Sequence, residues 1–188
     1  ITVRIAVIIK EGRSWLGLKE LRINSAYTVA AISVLMAMQV VLGSLLSIQF
    51  LITKITFSFI VTAIMARLFP PKLTATATAM SNLIGMLLFP KFSFFFGFLI
   101  TAALTGYTFG KLFYQKPVKL WRIITASFIV TIGWNLFLNS LWLHIMYGMT
   151  WNVLFTTRVP QELLSFAIYT VVISIVFKVL PIERLTNR

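Results

Sequence analysis

The run LWRIITASFIVTIGWNLFLNSLWL, Leu120–Leu143, decides the class of the molecule. It holds 24 residues and one charge, Arg122 near its start. About 20 such residues cross the hydrocarbon core of a bilayer as a helix, so this run is long enough to span. Five further apolar segments flank it: Ala26–Ile48, Ile55–Phe69, Leu73–Phe89, Phe94–Tyr114 and Pro160–Leu180. The second and third of the six are short and need longer neighbours. All six prolines lie at segment ends or in connections on this reading, where proline is tolerated. Pro160 is expected to open the last span.

Composition agrees. Of 188 residues, 59% are apolar and only 11% charged, and mean hydropathy is +0.94. A soluble domain carries about twice that charge, and a disordered chain lacks such apolarity. The expected fold class is therefore all-α: a polytopic membrane protein with six transmembrane helices. Residues 1–25 are expected to form an interfacial segment on the cytoplasmic side, and residues 26–188 the membrane domain. The apolar run Ile1–Ile9 is too short to span and lacks the cleavage pattern of a signal peptide.

The net charge of +13 has meaning only by position. With both termini cytoplasmic, that side holds Arg4, Lys10, Arg13, Lys19, Arg22, Arg67, Lys72, Lys111, Lys116, Lys119, Arg122, Lys178, Arg184 and Arg188. The outer side holds Lys54, Lys91 and Arg158. A split of 14 to 3 orients the chain by the positive-inside rule.

Catalytic chemistry is poorly supplied. The chain has no Cys, no Asp, one His (His144) and four Glu, so thiolate metal sites and Cys nucleophiles are excluded. No carboxylate neighbours His144 in sequence. Glu162 is expected in the first turn of the last span, where a helix dipole suits it. No phosphate-binding Walker lysine motif occurs, so the chain does not hydrolyse ATP itself. Nothing in the residues calls for a cofactor or a metal, and none is expected; nor is nucleic acid a partner.

Binding chemistry concentrates on the outer face. The third connection reads Phe89-Pro90-Lys91-Phe92-Ser93-Phe94-Phe95-Phe96-Gly97, and the fifth runs with its flanks from Asn139 to Pro160, holding Trp142, His144, Tyr147, Trp151, Asn152 and Arg158. Aromatic rings accept a flat heteroaromatic ligand, and arginine grips carboxylates bidentately. The bland alternative is an interfacial aromatic belt with snorkelling cations. Gln49, Asn82, Asn135 and Asn139 lie near outer span ends, where buried amides line cavities or bond helix to helix. Asn135 and Asn139 share a helix face. Gly106/Gly110 reads as a small-residue pair for internal packing. On the first span, Ala30, Ser33 and Ala37 form a small-residue stripe suited to a partner helix.

Three stretches carry a family resemblance: Asn82-Leu83-Ile84-Gly85 through Leu88-Phe89-Pro90, Phe95-Phe96-Gly97-Phe98, Gly106-Tyr107 and Gly110; Asn139-Ser140-Leu141-Trp142-Leu143 with Tyr147-Gly148; and Arg158-Val159-Pro160-Gln161-Glu162. From about Leu21 to Val179 the chain resembles the S components, the substrate-binding membrane subunits, of energy-coupling factor vitamin transporters. It is most similar to their folate-specific branch. The sequence departs from the family in Pro70-Pro71 for Gly-Pro, Asn82 for Asp, and Ser33-xxx-Ala37 for Ala-xxx-Ala.

The resemblance implies a folate-binding subunit of an ABC-type importer in the bacterial plasma membrane. Its partners would be a transmembrane coupling subunit and two cytoplasmic ATPases that use the ATP. The vitamin would be captured outside and released inside after the subunit tips over in the membrane. The implied ligand-binding residues are Gln49, Lys91, Phe92, Phe94, Phe95, Tyr107, Asn135, Asn139, Trp142 and Arg158, and the implied docking residues Ala30, Ser33 and Ala37. Phe side chains of the Phe92–Phe96 loop and Trp142 would sandwich the pterin. Arg158 would hold a carboxylate or the polar pterin edge. Alternatives are an S component for a thiamin precursor, riboflavin or pantothenate, a small intramembrane enzyme, and a structural membrane subunit without a ligand.

Overall fold

The computed structural model describes residues 26–44, 47–50, 53–90 and 94–179, with no side-chain detail at 47–50 and 53–55. The expected interfacial segment 1–25 and the site residues Lys91 and Phe92 lie outside the described residues. The chain divides into two compact units, Ile1–Ala31 and Ile32–Arg188, and the second holds most of the described helical residues.

Six helices occur in the described residues: α1 (Ala26–Ser44), α2 (Ser58–Leu68), α3 (Pro71–Leu88), α4 (Phe96–Phe113), α5 (Leu120–Tyr147) and α6 (Trp151–Val179). Four of them, α1, α4, α5 and α6, are long and apolar enough to cross a membrane. The helical class is as the sequence predicts, with one addition. Between α1 and α2 lies an antiparallel hairpin of β1 (Ser47–Phe50) and β2 (Thr53–Thr56), which pairs Ile48 with Ile55 and Gln49 with Lys54. The first span therefore stops at Ser44, and Gln49 is a strand residue, not the end of a helix. The polar–apolar alternation of Ser47-Ile48-Gln49-Phe50 is the strand period that a hydropathy window averages away.

A second correction concerns the last two spans. Helix α5 runs on to Tyr147, and α6 begins at Trp151. The long outer connection expected between Asn139 and Pro160 is instead a turn at Gly148-Met149-Thr150. Gly148 closes α5 in the left-handed region at φ 63°, and its N–H donates to the His144 carbonyl over 2.9 Å. This is the usual glycine stop of a helix. His144 Nδ1 stands 2.6 Å from the Met149 carbonyl, and its ring stacks on Trp151. Pro160 thus lies inside α6, exposed, rather than at its start. Removing one N–H from a long helix is tolerated when the surroundings re-satisfy the backbone.

Mid-way along α5, Ile129–Leu138 is a π-helix, in which the N–H of Asn139 reaches back to the Trp134 carbonyl. Wide turns of this kind are rare and frequent at functional sites.

The packing is closest between α3 and α4. A Cβ on Gly106 would stand 2.9 Å from the Thr74 carbonyl oxygen, and one on Gly110 2.6 Å from Pro71 Cα. The small pair Gly106/Gly110 is therefore spent on internal packing, as its sequence context indicates. A core of Phe59, Phe109, Phe113, Ile123, Val130, Tyr169 and Ile173 joins α2, α4, α5 and α6. Lys72, Lys111, Lys116, Lys119, Arg122 and Lys178 all belong to one end of the bundle, set by the starts of α3 and α5 and the ends of α4 and α6. There Arg67 donates from Nη1 to the carbonyls of Phe113 and Lys116, closing the end of α4.

Candidate functional site

At the opposite end of the bundle the chain leaves a cavity of about 270 Å³. Its wall is built from the last turns of α1 (Gln39, Gly43, Ser44), the entry to α2 (Thr56, Ser58, Phe59, Thr62), the later half of α3 (Thr78, Asn82, Gly85) and the first half of α4 (Phe98, Thr101, Thr105). Helix α5 contributes Val130, Asn135 and Asn139; α6 contributes Arg158, Glu162 and Tyr169. Glycine at 85 brings α3 close to α1, since a Cβ there would lie 3.1 Å from Ser44 Oγ.

Among the described residues, two charges face this cavity. Arg158 and Glu162 are 6% and 4% exposed, and Nη2 stands 3.7 Å from Oε1. The contact is loose for a charge-assisted bond, which closes to about 2.7–2.9 Å. Arg158 Nε and Nη1 and Glu162 Oε2 have no protein partner. Neither do Gln39 Oε1, Thr78 Oγ1, Asn82 Oδ1 and Asn139 Oδ1 around the same cavity. A buried polar group left unpaired costs about 1–3 kcal/mol, more when charged. So many converging on one space are what a polar ligand completes. Gln39 donates from Nε2 to Thr62 Oγ1, and Asn139 from Nδ2 to Asn135 Oδ1, so the amides are braced. On the floor, Tyr169 stacks on Phe59 with ring centroids 3.8 Å apart.

Of the residues expected to bind ligand, Asn135, Asn139 and Arg158 come together on the cavity wall. Arg158 does so from a helix and not from a loop, because α6 starts at Trp151. Trp142 does not line the cavity. Its indole packs against Phe95 and the bare face of Gly97, and Nε1 donates to Thr101 Oγ1 over 3.1 Å. Phe95 shares that contact, whereas Phe94 and Tyr107 are exposed and away from the wall. The Gln49 side chain is outside the described residues, with Lys91 and Phe92. Stacking surfaces on the wall are instead Phe59, Phe89, Phe98 and Tyr169.

Sequence reading missed Glu162 as a cavity residue. Placing Pro160 at a helix start puts Glu162 in a first turn, where it has a routine explanation. The four-residue spacing of Arg158 and Glu162 is the available signal, since it places both on one helix face. Gln39 was missed because nothing local distinguishes a polar residue in mid-span that braces a neighbour from one that binds. Among the described residues no group of three His, Cys, Asp or Glu could hold a metal ion.

Ala30, Ser33 and Ala37 are exposed on α1. This helix buries the least of the four candidate spans, 11% of its apolar window. Val34, Met38 and Val41 are exposed beside the stripe.

Comparison with known proteins agrees with this architecture. The family described as ECF transporter, substrate-specific component, matches residues 27–177. The Folate transporter FolT of Clostridium novyi is 34% identical over 154 residues, covering 82% of this chain and 90% of that protein. Its namesake from Leuconostoc mesenteroides subsp. mesenteroides is 27% identical over 143 residues, 73% of this chain and 77% of the other. A crystal structure of FolT bound with folic acid superposes with a TM-score of 0.76 at 31% identity, over 80% of this chain and 92% of the other. A membrane-embedded helical bundle with a polar cavity and no ATP-binding motif of its own thus has its place: the chain belongs to the substrate-specific components of the ECF transporters.

Proposed function

We propose that this protein is a folate-binding S component, which captures the vitamin outside the cell and delivers it inward when docked on its partners. The observation that carries the reading is the buried cavity at one end of the bundle, where Arg158, Glu162, Asn135 and Asn139 meet with polar atoms to spare. Folate combines a flat heteroaromatic head with a polar edge and an anionic tail. Such a ligand suits aromatic walls at Phe59 and Phe98 together with a buried guanidinium. Relatives named as folate transporters cover most of the chain, and one fold relative binds folic acid.

In this reading all six helices span the bacterial plasma membrane, with α2 and α3 packed among longer neighbours. Both termini are cytoplasmic. That orientation sets the basic end of the bundle inside and opens the cavity outward. Energy comes from elsewhere, since the chain has no phosphate-binding lysine motif. The partners are a transmembrane coupling subunit and two cytoplasmic ATPases, and α1 presents Ala30, Ser33 and Ala37 to the first of them. Close helix approach in lipid depends on small side chains, because water supplies no drive there.

Binding of tritiated folate to the purified protein in detergent tests the reading. Saturable binding at one site per chain is expected, competed by unlabelled folate and not by riboflavin, thiamin or pantothenate. Saturable binding of one of those vitamins, with folate inert, would replace folate as the ligand.

A further inference from the structure

We infer that the turn between α4 and α5 is a binding site for an anionic phospholipid, whose phosphate is held by Lys119 and Arg122 and whose acyl chain lies along Leu120, Ile124 and Phe128. The inference needs only the membrane fold, and neither the folate reading nor the coupling partners. Charge comes first. Among the described residues, seven cations belong to the basic end of the bundle, and the only carboxylate, Glu162, lies on the cavity wall at the other end. The whole chain has 17 Lys and Arg against 4 acids. The protein therefore cannot neutralise this end from its own residues, and the counter-charge has to come from outside.

The turn is fixed in place by its own cations. Arg67 donates from Nη1 to the carbonyls of Phe113 and Lys116. Lys116 Nζ donates to the Lys111 carbonyl over 2.7 Å, and Arg122 Nη1 to the Pro117 carbonyl over 3.2 Å. Such bonds to carbonyls shape the turn and leave its positive charge uncancelled. Arg122 uses one of five N–H donors in this way, and its guanidinium stands 5.3 Å over the Trp121 ring. The planar fork of arginine matches a phosphate bidentately, and lysine adds a point charge; Lys119 is exposed at the start of α5. Depth selects the source of the phosphate. Helix α5 has 28 residues, about 40 Å at the rise of an α-helix, against about 30 Å of hydrocarbon. Its first turn therefore reaches the headgroup layer, where an exposed tryptophan such as Trp121 is favoured. Leu120, Ile124 and Phe128 are exposed at four-residue steps from that turn. They form one apolar stripe on one helix face, about 12 Å long. A dissolved phosphate gains nothing from that stripe, whereas a phospholipid fills both the cationic turn and the stripe.

Lipid titration of the purified full chain tests this. The protein in dodecyl maltoside is titrated with dioleoylphosphatidylglycerol, with dioleoylphosphatidylcholine and with glycerol phosphate. Bound lipid is counted by native mass spectrometry, and the melting temperature is followed in parallel. One phosphatidylglycerol per chain is expected to be retained, with a rise in melting temperature, while phosphatidylcholine of the same chains and glycerol phosphate do neither at the same concentration. Each basic residue near an anionic headgroup contributes about fivefold, so Lys119→Gln with Arg122→Gln should weaken phosphatidylglycerol about twenty-five-fold. Lys178→Gln, exposed at the same end on α6, should leave its affinity unchanged. Equal retention of the two lipids would overturn the inference. So would equal weakening by Lys178→Gln and Lys119→Gln, which would reduce the site to diffuse attraction. Stabilisation by glycerol phosphate to the same extent would make the ligand a free anion instead. A double variant that keeps its lipid but no longer assembles with the coupling subunit would turn the patch into a protein-docking surface, against the inference. Selectivity between the two lipids is read on the wild type and needs no variant to fold.

Discussion

The indole of Trp142 on α5 donates from Nε1 to Thr101 Oγ1 on α4 over 3.1 Å, and Thr101, not Trp142, faces the cavity. The ring therefore buttresses the wall from behind. Thr101 in turn donates to the Gly97 carbonyl, and a Cβ on Gly97 would strike the indole at 2.5 Å. Indole, threonine and glycine form one joint between the helices. Trp142→Phe keeps a ring and removes one hydrogen bond, worth about 0.5–1.5 kcal/mol. Since about 1.4 kcal/mol is tenfold, folate affinity should fall by no more than about tenfold, with a small drop in melting temperature. Trp142→Ala empties the joint at about 3–5 kcal/mol and should unfold much of the protein. A hundredfold loss in Trp142→Phe with unchanged melting would mean that the indole touches the ligand itself.

Arg158 and Glu162 predict a non-additive pair. Removing one partner of a buried ion pair leaves an uncompensated charge and costs about 3–5 kcal/mol, whereas an apolar pair of similar volume is often neutral. Arg158→Met and Glu162→Leu should each lower the melting temperature of the ligand-free protein, and the double variant should regain most of that loss. All three should bind folate poorly. Additive losses in the double variant would show that the two side chains do not share their burial.

The close α3–α4 contact makes a sharper stability test. Gly110→Ala would place a Cβ 2.6 Å from Pro71 Cα, and backbone cannot swing aside like a side-chain tip. Overpacking of this kind costs about 1–3 kcal/mol. Gly133→Ala meets nothing nearer than 3.9 Å and removes a helix-weakening glycine. Gly110→Ala is expected to melt lower than wild type and Gly133→Ala is not; the reverse order would mean that α3 and α4 are further apart.

Much of this architecture is legible in the chain. Hydropathy places the six helices within a few residues at most ends, and Pro70, Pro71, Pro90 and Pro117 fall between or at the starts of helices as proline should. Pro160 is the exception, and it displaces everything near it. The residues before it, Trp151 to Val159, contain neither Gly nor Pro, and five of the nine are apolar, but a proline outweighs them in a local reading. Whether a helix passes through proline depends on neighbours that re-satisfy its backbone, which the local sequence does not contain. The cavity is legible in kind and not in membership. Asn135, Asn139 and Arg158 stand out as polar residues among apolar ones, and such residues face the interior. Trp142 and Phe94 are expected there because rings suit a flat ligand, and Tyr107 because the family resemblance implies it. Composition gives no direction to a ring: Trp142 turns to Gly97, and Tyr107 and Phe94 turn outward.

Orientation is testable because the chain has no cysteine. Thr150, exposed in the turn between α5 and α6, and Gln115, exposed between α4 and α5, lie at opposite ends of the bundle. Single cysteines at the two positions should differ in intact cells: Thr150→Cys reacts with an impermeant thiol reagent, and Gln115→Cys reacts only after permeabilisation. Labelling of Gln115→Cys alone from outside would invert the molecule and turn the cavity towards the cytoplasm.

The stripe on α1 carries the final prediction. Ala30, Ser33 and Ala37 recur at three- and four-residue steps, so they share one helical face, and all three are exposed. The cavity residues of the same helix, Gln39, Val40, Gly43 and Ser44, lie in its last turns, beyond all three. A large side chain at Ala37 would therefore keep a partner helix at a distance and spare the cavity. Ala37→Trp is expected to bind folate like the wild type when purified alone, and to lose ATP-dependent uptake when produced with the coupling subunit and ATPases. The two measurements separate the possible causes. Loss of binding together with uptake would place Ala37 in the packing of the bundle. Retention of both would move the docking surface to another helix, and the exposed face of α6 at Leu164, Val171 and Ile175 would be the next to probe.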